Sequence, residues 1–170
     1  MKIKIRKIVI VIIGCILIVT IYGYNQMRRV KINDVDEYVK KNNAELTQSV
    51  IKLQEEQQEA IHNYRVKNEV PQQVRNHLYS DLNINMISVE KYGTDKSDMT
   101  WIFLNNKPKD MGYDLCGIYY VDDNFIVDYY GNKQDGDAYE YDGTPEGVRI
   151  KYKSYKICDK WYYFEQSVWN

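Results

Sequence analysis

The sequence has little of the residue types that usually perform catalysis or bind metals. Its 170 residues include two histidines and three cysteines, with no cysteine pair at zinc spacing, no glycine-rich phosphate loop and no serine elbow. The net charge is -1, and no basic patch of the kind that binds nucleic acid is evident. His62 and His77 both fall in segments with a helical pattern, where a solvated histidine is the usual case. The sequence therefore predicts no catalytic residue, no cofactor and no nucleic-acid partner.

An uncharged apolar run occupies residues 8–24 near the N-terminus. As a helix, these seventeen residues extend roughly 25 Å, close to the hydrocarbon thickness of a bilayer, which is about 30 Å. Cleavage as a signal peptide is disfavoured, because Ile21, Tyr22 and Tyr24 stand where small residues are needed. The run therefore predicts a transmembrane signal anchor. Four basic residues precede it and three follow it, which favours a cytoplasmic N-terminus: Lys2, Lys4, Arg6 and Lys7, then Arg28, Arg29 and Lys31.

One alternative to this anchor depends on Cys15. Gly14 and Cys15 resemble the end of a lipoprotein signal, in which the cysteine is acylated, although the apolar run continues beyond them. A lipoprotein acylated at Cys15 therefore stays open beside the signal anchor. The abundance of lysine, isoleucine, asparagine and tyrosine is typical of an AT-rich bacterium. The predicted organisation is a cytoplasmic tail (1–7), a transmembrane signal anchor (8–24), a juxtamembrane linker (25–32) and an extracytoplasmic domain (33–170).

Two segments after the linker show the period of a helix. From residue 33 to about 66, apolar residues recur three, four or seven positions apart after the N-cap residue Asn33. This pattern predicts a long amphipathic helix that packs on the domain, with a stalk coiled coil as the alternative. A shorter helix is predicted from about Val70 to Leu82, because Pro71 suits an early helical position. Its apolar residues fall at every fourth position: Val70, Val74, Leu78 and Leu82.

Beyond residue 82 the pattern changes to that of strands. Asp122, Asp123 and Asn124 predict a tight turn that joins the third and fourth strands in a hairpin. The result is an α+β fold with a curved antiparallel sheet of five to seven strands. This element order is similar to that of cystatin-like and NTF2-like modules. The predicted strands are 84–92, 99–104, 115–121, 125–130, 139–141, 148–154 and 161–169.

Tyrosine and cysteine are informative for the domain. Seventeen tyrosines favour a tyrosine-rich sheet over an aromatic binding platform, because aromatic side chains suit a pleated, half-buried surface.

Cys116 and Cys158 are an even pair that would form a disulfide in an oxidising space. Both also lie in apolar, strand-like surroundings, so two reduced buried thiols are an equal alternative.

The acidic residues give two weaker hypotheses. Asp135, Asp137, Glu140 and Asp142 form a cluster in a glycine-containing segment, and oxygen ligands on a flexible loop suit Ca²⁺. A hydrolase would use the carboxylates around Asp128, Asp135 and Asp137. Because no motif supports catalysis, the leading hypothesis is non-enzymatic: a membrane-anchored extracytoplasmic module of a bacterial cell. It is expected to bind another protein or an envelope component, or to associate with itself.

Overall fold

A computed structural model describes residues 32–65, 67–92 and 98–169. Within this part the chain is α+β, with two α-helices, one antiparallel sheet of seven strands and a separate two-stranded ribbon. Neither of these helices combines the length and the apolar character that crossing a membrane requires. The predicted anchor at 8–24 and Cys15 lie outside the described residues.

The helices and strands alternate at first and then give way to a run of strands. Short 3₁₀ turns occur at Ile32–Asp34, Lys67–Glu69 and Pro145–Gly147. The helices are α1 (Val35–Glu56) and α2 (Gln72–Asp81), and the strands are β1 (Ile61–Tyr64), β2 (Met86–Glu90), β3 (Met99–Lys109), β4 (Gly112–Val121), β5 (Ile126–Val127), β6 (Lys133–Gln134), β7 (Ala138–Gly143), β8 (Arg149–Cys158) and β9 (Trp161–Trp169).

The large sheet has the strand order β1-β2-β3-β4-β9-β8-β7. The last strand, β9, returns to lie between β4 and β8, so residues from distant parts of the chain become neighbours at the centre of the sheet. The ribbon β5–β6 belongs to the connection between β4 and β7. The prediction of an α+β fold with up to seven antiparallel strands is confirmed.

Helices α1 and α2 cover one face of the sheet. Their apolar stripes are buried against alternate residues of the central strands, including Ile102 and Ile118. Two polar contacts fix α1 on the sheet, because Trp161 Nε1 donates to Thr47 Oγ1 at 2.9 Å and the Tyr155 hydroxyl donates to Asp36 at 3.1 Å. Helix α1 therefore packs on the domain, as predicted, and does not form a stalk. The fourfold spacing in α2 is also confirmed, since Val70, Val74, Leu78 and Leu82 are all buried.

The long helix is shorter than the sequence predicts. It ends at Glu56, and Gln57 is already extended. The Gln57 side chain donates to the Glu59 carbonyl, and the Gln57 carbonyl accepts a hydrogen bond from Lys91. The chain then enters β1, so His62 lies in a strand and not in a helix. The prediction was wrong here because Ile61–Tyr64 gains backbone hydrogen bonds from β2 that a helix extension would forgo.

The predicted hairpin of 115–121 with 125–130 is also wrong. Strand β4 pairs with β3 and β9, whereas β5 has only two residues and pairs with β6. Asn124 adopts a left-handed conformation with φ of 59°, and its side chain accepts hydrogen bonds from Lys160 N and the Tyr162 hydroxyl. These bonds hold the connection against the β8–β9 turn. The chain after Asn124 therefore crosses the sheet face instead of forming an eighth strand in it.

Candidate functional site

The face of the sheet that the helices leave uncovered is rich in aromatic residues. Trp101 on β3, Tyr119 on β4 and Tyr162 on β9 are consecutive cross-strand partners. The Trp101 and Tyr119 ring centroids are 4.6 Å apart, and Tyr119 stacks on Tyr162 at 5.0 Å. Phe164 meets Trp101 edge to face at 5.0 Å. Such ring pairs stabilise a protein by more than the apolar area they bury. The four rings therefore form a rigid aromatic floor.

Gly117 leaves room for two phenylalanine rings in this floor. Its cross-strand partners are Phe103 and Phe164, whose rings meet above it at 5.5 Å. A Cβ at this position would lie 2.9 Å from Phe164 Cε1 and 2.2 Å from the Ile102 carbonyl oxygen. Because no side chain fits there, glycine allows the two phenylalanine rings to approach each other across β4.

The connection 122–137 covers part of this face. Ile126 and Val127 of this connection are fully buried against the aromatic residues of the sheet. The Val127 N–H donates to the Tyr119 hydroxyl at 3.2 Å, and the Tyr152 hydroxyl donates to the Val127 carbonyl at 3.3 Å. The Tyr119 hydroxyl also lies 2.8 Å from Ser154 Oγ. Tyrosine hydroxyls of the sheet therefore satisfy the backbone of the connection, which would otherwise be buried without partners.

Asp128 holds the next turn of this connection. Its Oδ1 accepts hydrogen bonds from the backbone N–H of Tyr130 and of Asn132, each at 2.8 Å. Its Oδ2 accepts from the Asn132 side chain at 3.0 Å and from the Gln134 side chain at 3.2 Å. Gly131 has a φ of 76°, and a Cβ on it would lie 3.1 Å from Met99 Cε. The buried carboxylate thus builds a tight loop that lies directly against the sheet.

A cavity of about 200 Å³ lies between this loop and the aromatic floor. Glu90 and Tyr92 close one side, Tyr129 and Tyr130 form the loop side, and Gln166 lies opposite. The ring of Tyr129 is 6.5 Å from that of Tyr152. The floor of the cavity is made of Trp101, Phe103, Tyr152 and Phe164.

A second cavity, of about 580 Å³, adjoins the first. Phe103 lines both cavities, and we call the two cavities together the aromatic groove. Trp101 in the first cavity is level with Tyr119 on β4, and Tyr113 lines the second cavity. From Tyr119 to Tyr113, β4 extends about 20 Å at a strand rise of about 3.3 Å per residue. The second cavity is lined by Arg65, Asn85, Met86, Asn106, Pro108, Gly112, Tyr113 and Leu115 besides Phe103.

Glu90 lies at the end of the groove beneath the loop. The Tyr92 hydroxyl donates to its Oε2 at 2.6 Å, and Ser88 Oγ donates to its Oε1 at 3.3 Å. Burial and the hydrogen bond to Glu90 raise the pKa of Tyr92 well above its ordinary value. The hydroxyl therefore remains a donor at neutral pH. Among the described residues that line the groove, Glu90 is the one carboxylate.

The acidic residues suggested for Ca²⁺ are not brought together. Asp135 and Asp137 are exposed between β6 and β7, and Glu140 is exposed on β7. Asp142 is paired with Arg149 at 3.3 Å and with Lys151 at 3.4 Å, and its hydrogen bonds to these cations hold its pKa below the ordinary value. No metal-binding group of three or more acidic, histidine or cysteine side chains occurs in the described part of the chain. The calcium hypothesis is corrected because basic side chains already occupy this edge.

The carboxylates suggested for hydrolysis do not form a pair either. Asp128 is buried, and each of its oxygens already accepts two hydrogen bonds from the loop. Asp135 and Asp137 are exposed. Asp128 is therefore placed to hold the loop in shape, and its lone pairs are not directed at the aromatic groove.

The structure also corrects the disulfide alternative, since Cys116 and Cys158 are both free thiols. They lie on strands on opposite sides of β9, where Cys116 pairs with Glu165 and Cys158 with Trp161. Two strand spacings across and four residues along give a separation of about 16 Å, far beyond the Cα distance of a disulfide, at most about 7 Å. Burial raises the pKa of both thiols.

Sequence reasoning did not find the groove, although part of its signal is visible. Trp101 and Phe103 alternate along β3, and Tyr162 and Phe164 alternate along β9. Each pair therefore lies on one side of its strand. The sequence pattern does not reveal that β9 pairs with β4, and this pairing places the two sets of rings side by side.

The family models, curated proteins and solved structures compared with this chain include no match to it.

Proposed function

We propose that this chain is a membrane-anchored, extracytoplasmic binding module of a bacterial cell, whose aromatic groove holds an extended segment of a partner protein of the envelope. The observation that carries the proposal is the groove itself, about 20 Å long by the strand rise, on the face of the sheet that neither described helix covers. Aromatic side chains with a few polar groups are typical of recognition surfaces. A length of about 20 Å accommodates about six residues of extended chain.

Binding is favoured over hydrolysis by the distribution of charge. Carboxylate-based hydrolysis of glycosides needs two carboxyl groups within about 5–10 Å of each other. Glu90 is the only carboxylate among the described residues that line the groove. The Asp128 carboxylate accepts hydrogen bonds from the loop instead. An aromatic groove with a single carboxylate among its described lining residues suits recognition rather than acid–base chemistry.

The membrane attachment and the orientation are proposed from sequence alone. The apolar run 8–24 serves as the anchor, and a curved sheet of the cystatin-like or NTF2-like kind presents the groove outside. Protease treatment of intact cells tests the orientation: the domain is expected to be digested without lysis. If it resists until the cells are lysed, the outward assignment fails. Cys15→Ser keeps the protein in the membrane if residues 8–24 anchor it, and releases it if acylation does.

Site-specific photo-cross-linking tests the groove. A photoreactive phenylalanine replaces Tyr130, which is 55% exposed at the rim, and the control replaces Gln48, which is exposed on α1 over the opposite face. A discrete cross-linked protein is expected from position 130 and not from position 48. The additional change Tyr113→Ala, at the far end of the groove, should weaken that product. Equal labelling from both positions would contradict a role for the groove, and a product of twice the mass would identify a second copy as the partner.

A further inference from the structure

The end of the aromatic groove beneath the loop combines aromatic rings with one carboxylate among its described lining residues. Its described walls are mainly aromatic rings from the sheet and the loop, including Trp101, Phe103, Tyr129 and Phe164. The faces of such rings carry negative electrostatic potential, and they attract ammonium and guanidinium groups within about 6 Å. Tryptophan is the most effective of these rings. An apolar guest would fill this space equally well, so the deciding observation is the charge at its edge.

Glu90 supplies a negative charge that no cation of the described chain neutralises. Its partners are the hydroxyls of Ser88 and Tyr92, which donate hydrogen bonds but carry no charge. None of the ion pairs between described residues includes Glu90, whereas Asp114, for example, lies 2.6 Å from Lys109 Nζ. A half-buried carboxylate that has no counter-charge among the described residues, next to aromatic rings, therefore attracts a cation from outside.

The size of the cavity limits the cation. A volume of about 200 Å³ holds about six groups of the size of a water molecule, at roughly 30 Å³ each. The end of a lysine or arginine side chain fits this volume, while its backbone stays at the rim. A hydrated inorganic ion would not use the ring faces in this way. The volume and the one carboxylate among the described lining residues match one basic side chain.

We propose that this end of the groove binds one lysine or arginine side chain of the partner segment, held between the rings and paired with Glu90. The inference rests on the proposed binding function and specifies the partner. Leu115 lies four residues along β4 from Tyr119, the cross-strand partner of Trp101, which is about 13 Å. Side chains four positions apart in an extended segment point the same way. The recognised segment therefore has an apolar residue four positions from its basic residue.

The test compares two matched peptides by calorimetric titration of the full-length chain in a neutral detergent. Each is an acetylated, amidated peptide of about six residues, with leucine four positions from either lysine or norleucine, synthesised in both orders. The lysine peptide is expected to bind at least tenfold more tightly than its norleucine twin. Glu90→Gln should remove this preference, and binding of the norleucine peptide by the variant shows that the groove is intact. Glu140→Gln, on an exposed position of the edge strand, is the control and should change neither affinity.

The outcomes separate this inference from the proposed function. If the twin peptides bind equally, or if Glu90→Gln keeps the lysine preference, the cation receptor is refuted while the groove remains a binding site. If neither peptide binds, the cation receptor is refuted and the groove loses its role as a site for extended segments. An arginine peptide that binds as tightly as the lysine peptide supports recognition of charge rather than of one side-chain shape.

Discussion

Asp128 offers the sharpest test of how the groove is built. Asp128→Ala removes a buried carboxylate that accepts four hydrogen bonds, two from the backbone of Tyr130 and Asn132 and two from the side chains of Asn132 and Gln134. The two side-chain donors can turn toward water, because Asn132 is exposed and Gln134 is only half-buried. The two backbone donors are fixed in the turn. The decrease in the free energy of unfolding caused by Asp128→Ala is therefore determined mainly by the two backbone hydrogen bonds.

The size of this decrease follows from the charge of the acceptor in the two backbone hydrogen bonds. A hydrogen bond to a charged acceptor contributes about 1.5–3 kcal/mol, and water recovers part of it at a half-exposed loop. Asp128→Ala should therefore lower the free energy of unfolding by about 2–4 kcal/mol. Asp128→Asn keeps one acceptor oxygen and turns an amide toward two donors, so it should cost about half as much. The loop that forms one wall of the groove should loosen in both variants.

Urea denaturation followed by circular dichroism measures both changes. Asp135→Ala is the matched control, because Asp135 is exposed in the same connection and should change the stability by no more than about 0.5 kcal/mol. A loss below about 1 kcal/mol for Asp128→Ala, a single ordinary hydrogen bond, would show that the carboxylate does not organise the loop. The assignment of Asp128 as a structural residue would then fail.

Three further predictions concern the sheet and its titratable groups. Gly117→Ala places a Cβ 2.2 Å from the Ile102 carbonyl oxygen and should cost about 3 kcal/mol. Gly136→Ala, which meets nothing within 4 Å but has a φ of 94°, should cost about 1 kcal/mol in the same denaturation assay. Because burial raises the pKa of Cys116 and Cys158, both should alkylate slowly at pH 7.5 in the folded protein and fully, without reductant, after unfolding; mass spectrometry that finds a bridged peptide would contradict this. Burial raises the pKa of Tyr119 from 10.0 to about 12, so its contribution to stability is complete below pH 10 and is lost as the pH rises toward 12. Absorbance of tyrosinate should rise together with loss of the circular dichroism signal, and ionisation of all tyrosines near pH 10 in the folded protein would contradict this.

Local periodicity predicted the helical stripes well and the end of the long helix poorly. Val35, Val39 and Leu46 are buried as their spacing predicts, because a helix that lies on a sheet must turn one face inward. Ile61 and Tyr64 continue the same spacing, yet they belong to β1. A four-residue apolar pattern fits either structure, and the choice depends on whether a partner strand is near. That partner, β2, follows more than twenty residues later in the chain.

The groove could not be predicted for a related reason. Strand positions follow from alternation within a few residues, and β9 matches the predicted 161–169 segment. The order of strands depends instead on contacts between distant segments, such as Gly117 with Phe164. The sequence favoured a tyrosine-rich sheet over an aromatic surface, and the structure contains both on the same strands. Which rings are buried and which line the groove is determined by the connection that crosses them.

The abundance of tyrosine has a physical explanation in the difference between the two faces of the sheet. One face is covered by helices, which satisfy their own backbone hydrogen bonds and need only apolar contact. The other face is covered by an irregular connection, whose backbone needs partners from the sheet. Tyr119 and Tyr152 supply both a ring for the floor and a hydroxyl for Val127. Phenylalanine at these positions would keep the packing and leave the Val127 N–H and carbonyl unsatisfied. Tyrosine therefore lets a short connection cover part of the sheet, and the uncovered remainder is the groove.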